Sequence, residues 1–464
     1  MKQNVTVVIL AAGLGTRMKS KKAKVLHEAG GDTLLNHVIR AALPLAPAEN
    51  IVAVVGHQAE EVRASVSTPG VRFALQEEQK GTGHAVACAR DLIDTSGQLL
   101  ILNGDGPLIK TPTLESFLGN GEQSGIAGSV ITTEVGNPTG YGRIIRDGDG
   151  RIEAIVEQKA ASREQLAIVE INTGVYWFDA ALFWRYLGEI QPNNEAGEYY
   201  LTDMVGILRR HGHAVTAQLV ADETELLGIN TRLELAVADR ILRQRKTEAL
   251  MLAGVTIEKP ETVTIDVDVE VGQDTVIEAH VELRGATRIG VDCRIGTGSV
   301  FRDCEIADTT HILPYVVAEG AKIGHSALVG PFSRLRRNTM VGDRCHIGNY
   351  VELKNTTMER GSKANHLAYL GDAFIGEATN VGAGTITCNY DGAHKHPTRI
   401  EDHVFVGSNS TLIAPLTVGS GAYIAAGSVI TEDVARDALA VGRSRQTDKP
   451  GWAKRRREQR KTPR

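Results

Sequence analysis

From residue 254 onward an aliphatic residue returns at every sixth position. The series runs Val271, Ile277, Leu283, Ile289, Ile295 and Phe301, and slips to Ile306 and Ile312. It continues through Ile323, Val329, Leu335, Val341, Ile347 and Leu353, then Ile375 and Val381, then Ile400, Val406, Leu412, Val418, Ile424 and Ile430. Glycine often follows, as in Ile289-Gly290, Ile323-Gly324 and Ile347-Gly348. Neither the helical period of about 3.6 nor the strand period of about two sustains such a series. A parallel β-helix does: each six-residue unit gives one short strand and a turn, and its aliphatic side chain points into a shaft shared by stacked coils. A slim aliphatic core also explains why aromatics make up only 5% of the 464 residues while glycine reaches 49. Two stretches break the period and are expected to leave the shaft as loops. One is 359–374, with Lys363, His366 and Tyr369. The other is 388–399, with Asn389-Tyr390-Asp391-Gly392.

The first 232 residues follow another rule. Val5–Leu10 is a β-branched run leading into a glycine-rich turn. Thr33–Ala42 has helical spacing, Ile51–Val55 is again strand-like, Glu60–Ser67 helix-like, and Leu99–Leu102 ends in Asn103-Gly104-Asp105. This alternation predicts a Rossmann-like α/β domain, a mostly parallel sheet with helices on both faces. Ligands of such sheets gather at the carboxyl ends of the strands, where Gly13–Arg17 and Asn103–Asp105 fall. The expected organisation is 1–232 for this domain, a linker helix over 233–253, and the β-helix from 254 to 464. The helix reads equally as the last of the first domain. The final stretch, 454–464, holds seven Lys and Arg against Glu458. It is expected to be a solvated, disordered end, with a role at a phosphate-rich ligand as the alternative.

Fifty-one basic and 56 acidic residues leave a net charge of −5, with 42% apolar residues, so wholesale disorder is excluded. A nearly neutral chain gives no general reason to expect a nucleic-acid partner. No apolar run approaches the ~20 residues of a membrane span, and no leader segment is evident. Cys88, Cys293, Cys304, Cys345 and Cys388 are scattered without a C-x-x-C pair, which points to free thiols in a reducing cytoplasm rather than to zinc or disulfides.

The turn Leu10-Ala11-Ala12-Gly13-Leu14-Gly15-Thr16-Arg17-Met18 can let a ligand approach the backbone, and Arg17 and Lys24 add cations. Its spacing fits neither a P-loop nor a full dinucleotide fingerprint. The whole string, followed in order by Gln76–Ala85, Gly104-Asp105, Gly140-Tyr141-Gly142-Arg143, Ile155-Val156-Glu157, Glu170–Gly174, Gly197–Tyr200 and Gly228-Ile229-Asn230, resembles the signature of sugar-nucleotide pyrophosphorylases. With the six-residue repeat behind it, nearly the whole chain resembles the bacterial family of bifunctional N-acetylglucosamine-1-phosphate uridyltransferases and glucosamine-1-phosphate acetyltransferases.

That resemblance implies a left-handed β-helix and assigns roles. Leu10, Ala11, Ala12, Gly13, Gln76, Gly81 and Thr82 would hold the uridine of UTP, with Asn103 and Gly104 also in the nucleotide-sugar site. Asp105 and Asn230 would bind magnesium through hard oxygens, with manganese an open alternative. Gly142, Glu157 and Asn172 would contact the acetylated sugar, and Arg17 and Lys24 the triphosphate. The implied reaction is in-line attack of a sugar phosphate on the α-phosphorus, with pyrophosphate leaving. The attacking phosphate is already anionic, so alignment and charge neutralisation carry the rate. Two departures from the family pattern are Ala23, where proline is usual, and Asn103 with Gly106, where an aromatic and an aliphatic residue flank Gly104-Asp105.

In the β-helix the resemblance singles out His366 as general base, a residue type suited to taking a proton near neutrality. Arg334 and Lys354 would bind the sugar phosphate, with Tyr369 and Asn380 on the amino sugar. Ala383, Asn389, Tyr390, Ser408, Ala426 and Arg443 would line the acetyl-CoA site. The family arrangement implies a homotrimer, with no membrane and no nucleic acid. Three rival readings are weighed: a single-function pyrophosphorylase with a regulatory β-helix, a non-catalytic scaffold, and a β-helix hydratase using His325 and His346 on a metal.

Overall fold

The computed structural model describes residues 4–121, 125–192, 194 and 197–461. The chain divides into two compact units, Met1–Arg245 and Lys246–Arg464. The helix Arg232–Leu252 runs through the division.

The first unit is built on a nine-stranded sheet. Seven strands lie in the order Ala214–Leu219, Ile126–Glu134, Glu170–Asp179, Gln98–Asn103, Val5–Leu10, Ile51–Val55 and Arg72–Leu75, and a hairpin of Arg143–Arg146 and Ile152–Val156 joins the edge of Glu170–Asp179. Val5–Leu10 pairs in parallel with both of its neighbours, but Glu170–Asp179 runs against the two strands beside it. The sheet is therefore mixed where a mostly parallel one was expected. Helix Leu34–Ala42 starts at Thr33, whose hydroxyl accepts from the Asn36 N–H, the usual way a helix satisfies a free N-terminal donor. Val7, Ile9, Ile51 and Ala53 face one core, Val8, Val52 and Val54 the other. Central strands covered on both faces read as continuous apolar runs for this reason.

The second unit is a parallel β-helix. Its strands, two to four residues each, form three sheets of 11, 10 and 9 strands in which every third strand is a neighbour. Ile277 pairs with Ile295, a coil of eighteen residues, and Ile295 with Ile312, a coil of seventeen. The slip in the period is thus one residue lost from a coil. Inside, Phe301 lies next to Ala318 on the following coil, large beside small. A second buried column of small residues fills the corners. There the hydroxyls of Thr275, Thr310, Ser333 and Ser362 donate to the carbonyls of Gly290, Gly324, Gly348 and Gly376 one coil on. Cys293 and Cys345 occupy the same slots, their thiols 3.2 and 3.0 Å from the carbonyls of Ala307 and Glu359. Cys293 and Cys345 are therefore space-fillers at a size-restricted position.

One expected loop is not a loop. Residues 359–374 form a regular coil, with Ile347 paired to Ala364, Leu353 to Leu370 and Met358 to Ile375. Ala364 takes the inward position, so the aliphatic period is hidden without being broken. The second is a true insertion: Ile375 pairs with Ile400, twenty-five residues on. The basic end is helical over Trp452–Lys461, not disordered, and Trp452 through Arg460 are exposed as expected. Residues 462–464 lie outside the described residues.

Candidate functional sites

Strands Val5–Leu10 and Gln98–Asn103 run in parallel, so their carboxyl ends deliver two loops to one place. The Gly104 N–H donates to the Leu10 carbonyl (2.9 Å), and the Ile229 N–H to the Asp105 carbonyl (2.9 Å). These bonds gather Leu10–Gly13, Asn103–Asp105 and Gly228–Asn230 around a cleft of about 620 Å³. The cleft is lined by Leu10, Ala11, Ala12, Gly13, Arg17, Lys24, Gln76, Gly81, Thr82, Asn103, Asp105, Gly142, Glu157, Asn172 and Asn230. Of the residues expected in this site, Gly104 alone does not line it. An added Cβ on Gly104 would meet the Leu10 carbonyl at 2.9 Å, so this glycine is a packing requirement beneath the cleft.

The Lys24 ammonium bridges Asp105 Oδ2 and Asn230 Oδ1, and the Arg17 guanidinium donates to the same Asn230 oxygen at 2.8 Å. A carboxylate and an amide oxygen thus converge on a point that already attracts a cation. Few protein oxygens with room for substrate phosphates is a donor set suited to a small divalent metal. On the far side a Cβ added to Gly142 would meet Ile155 at 3.2 Å, Glu157 at 3.4 Å and Asn172 at 3.6 Å, so these three side chains close round the glycine. Burial pushes the Glu157 carboxyl above its usual range. At another end of the cleft Gln76 is buried, its side-chain N–H donating to the Gly81 carbonyl at 3.1 Å. Gly81 has φ +103°, and a Cβ there would meet the backbone of Tyr199 at 2.6 and 2.8 Å, so only glycine fits. Tyr141 and Tyr200 also line the cleft. Both belong to the motifs Gly140–Arg143 and Gly197–Tyr200, whose order in the sequence is their only signal.

In the β-helix, Asn349 and His366 are paired across neighbouring coils, with His366 Nδ1 2.6 Å from Asn349 Oδ1. Backbone bonds continue the column: Gly384 N–H to the His366 carbonyl, Asn409 N–H to Ala383, and Gly427 N–H to Ser408. Arg443 packs beside Gly427. His366, Ala383, Ser408, Ala426 and Arg443 therefore form one track along the shaft, Ala383 half-buried and the others exposed, a row of small residues between a histidine and a guanidinium.

A second feature is a cavity of about 500 Å³ lined by Arg334, Arg336, Lys354, Asp372 and Lys395 among others. Lys354 lies 3.0 Å from Asp372, and Asn389 donates to the same carboxylate. The neighbouring Lys354 amine draws Lys395 below the usual lysine range. Cations lining one cavity favour an anionic ligand there. Tyr369 lies on the strand facing Lys354, its hydroxyl over Gly371. Asn389 was expected at the acetyl-CoA site but sits with this cluster. Asn380 pairs beside Lys363 on another face, and the Tyr390 hydroxyl donates to its own loop at Gly392. Neither joins the pocket in one chain. Lys395 and Asn349 were not foreseen. Lys395 lies in the insertion already noticed, whereas Asn349 becomes visible only once the coil register is known.

The two folds with these two sites define a two-domain transferase, one unit shaped for phosphates and a cation, the other for an acyl carrier and an anionic acceptor. Residues 7–167 match the MobA-like NTP transferase domain, and residues 320–355 and 397–432 match bacterial transferase hexapeptide and succinyl-transferase hexapeptide repeats. The bifunctional protein GlmU of Solibacter usitatus is 55% identical over 463 residues, covering 100% of this chain and 99% of that protein. The GlmU proteins of Koribacter versatilis and Trichlorobacter lovleyi are 48% and 47% identical, over 98% and 97% of this chain and 98% of each relative. The chain belongs to the family of bifunctional GlmU proteins. Among the described residues no helix is long and apolar enough to cross a membrane.

Proposed function

We propose that this enzyme makes UDP-N-acetylglucosamine in two steps. The β-helix transfers acetyl from acetyl-CoA to glucosamine 1-phosphate, and the first unit couples the product to UMP from UTP, releasing pyrophosphate. The observation that carries this reading is the presence, in one chain, of two separate anion sites with different chemistry. One joins Lys24, Arg17, Asp105 and Asn230, and the other joins Arg334, Lys354 and Lys395.

In the first site Asp105 and Asn230 would hold magnesium, which when bound neutralises phosphate charge and orients it. Lys24 and Arg17 bear on the triphosphate, and the Leu10–Gly13 turn, Gln76, Gly81 and Thr82 on the uridine. Gly142, Glu157 and Asn172 hold the acetylated sugar so that its phosphate oxygen lies in line with the α-phosphorus. In the second site Asn349 Oδ1 can only accept, so the proton of His366 resides on Nδ1 and Nε2 is free to take one from the attacking amine. Arg334, Lys354 and Lys395 bind the sugar phosphate beside Tyr369, and the Ala383–Ser408–Ala426–Arg443 track carries the acetyl-CoA arm.

We read the active assembly as a homotrimer. Tyr315, Phe332 and Tyr350 stack along one exposed corner at 5.1 and 5.4 Å between centroids, each about half exposed. Asn380 and Tyr390 find no place in a single-chain pocket, and a second copy of the chain would supply what one chain leaves open. Nucleotide and acetyl-CoA substrates support a cytoplasmic location. The test is a mass-spectrometric assay with glucosamine 1-phosphate, acetyl-CoA, UTP and magnesium, each omitted in turn. UDP-N-acetylglucosamine that requires both acetyl-CoA and UTP supports both activities. Product formed only from added N-acetylglucosamine 1-phosphate leaves the β-helix inactive and returns the single-function reading.

A further inference from the structure

The cleft of the first unit has a phosphate half, around Asp105, and a sugar half, around Asn172. The two are borne by different strands, Gln98–Asn103 and Glu170–Asp179, which pair antiparallel from Tyr176 with Ile101 to Asp179 with Gln98. On its other edge Glu170–Asp179 loses register between Asn172 and Tyr176. At that interruption the side-chain amide of Asn103 donates to the Thr173 carbonyl at 3.0 Å.

The next residue is fitted to this amide. Gly174 has φ +79°, and any Cβ there would overlap the Asn103 side chain. The Gly174 N–H donates to Asn172 Oδ1 at 3.0 Å, and Asn172 Nδ2 donates to the Tyr176 hydroxyl at 2.7 Å. The Asn172 side chain is thereby fixed by the turn that Asn103 holds. On its other side Asn103 continues directly into Gly104 and Asp105, which are tied to Leu10 and Ile229.

We propose that Asn103 is a positioning residue. Its side chain locks the loop carrying Asp105 to the turn carrying Asn172, so that the phosphate and sugar halves of the cleft keep a fixed separation. On the proposed activity, on which this inference rests, the separation sets where the attacking sugar phosphate lies relative to the nucleotide. The amide of Asn103 serves this geometry and is not itself a contact to the base.

The test uses the full-length enzyme with Asn103→Ala, which removes the amide, and Asn103→Asp, which keeps the shape without the donor. Rates of UDP-sugar formation are measured with UTP and N-acetylglucosamine 1-phosphate varied separately. Both variants should raise KM for the sugar phosphate by roughly five- to tenfold, the size expected for one lost hydrogen bond, with KM for UTP within about twofold of the parent. An unchanged KM for the sugar phosphate in either variant overturns the proposal, as does an equal rise in KM for UTP. Should a variant show no turnover, UTP binding by titration calorimetry decides: retained binding supports the positioning role, and lost binding overturns it. Failure of the parent enzyme to form any UDP-sugar would sink the proposed activity itself and is seen before any variant is made.

Discussion

The imidazole of His366 and the amide of Asn349 meet across one rung of the β-helix, Nδ1 2.6 Å from Oδ1. Replacing Asn349 by alanine frees the ring to rotate and to change tautomer. Acetyl transfer should fall by about tenfold or more in kcat, the scale of a hydrogen bond to a group that becomes charged. Asn349→Asp should act differently. A carboxylate at Nδ1 favours the imidazolium, so the acidic limb of the kcat/KM profile for acetyl transfer should move to higher pH. Uridylyl transfer measured on the same samples should not change.

The oxygens of Asp105 and Asn230 converge on the Lys24 ammonium. Asp105→Ala should remove uridylyl transfer by at least ~100-fold, in the range for loss of a metal-held electrostatic contribution, while acetyl transfer persists. A chelator should do the same to the parent enzyme, reversed by excess magnesium. His366→Ala should give the opposite pattern. If either substitution silenced both reactions in a folded protein, the two-site description would be wrong.

His27 is buried, and its Nδ1 accepts from Arg232 at 3.2 Å. Burial, then the Arg232 charge, hold its pKa below the ordinary 6.5. A histidine depressed in the folded state binds its proton first in the unfolded chain. Its contribution is complete above the unfolded value and is lost as pH falls from there through the folded one. Thermal unfolding of the first unit should therefore decline with acidification in this window, and His27→Gln should flatten that part of the curve. An unaltered pH dependence in the variant would refute the assignment.

Cys293, Cys304 and Cys345 are buried in the shaft, where burial raises each thiol above its usual range. In the native protein they should resist alkylation, with Cys388 and Cys88 reacting first. Peptide mapping after brief iodoacetamide treatment reads the order directly.

The period of six was enough to place the β-helix, because an inward aliphatic residue at fixed spacing has no other home. The same rule misled at 359–374. Ala364 is small enough to leave the shaft intact yet gives no aliphatic signal, so a regular coil read as a loop. The reversed strand Glu170–Asp179 was equally hidden, since strand direction depends on long-range pairing and leaves no local mark. Site residues with charge or a hard oxygen, such as Lys24, Asp105 and Asn230, stood out through chemistry and motif order. Asn349 and Lys395 did not, because register alone brings Asn349 opposite His366 and an insertion alone brings Lys395 to the cavity that Lys354 lines. The helix Trp452–Lys461 was missed because its charges mask an ordinary helix-forming composition.

The hydroxyls buried at the corners of the shaft bind carbonyls of the following coil, as Thr275 does to Gly290 and Ser362 to Gly376. Each completed turn therefore presents the next seventeen or eighteen residues with a ready pattern of donors, acceptors and apolar floor. Such a shaft can grow like a spring wound from one end, adding turns as the chain leaves the ribosome instead of waiting for a distant partner segment. It also wears from its ends, since a terminal turn has a neighbour on one side only, and so the column that carries His366 is sheltered by the turns stacked beyond it.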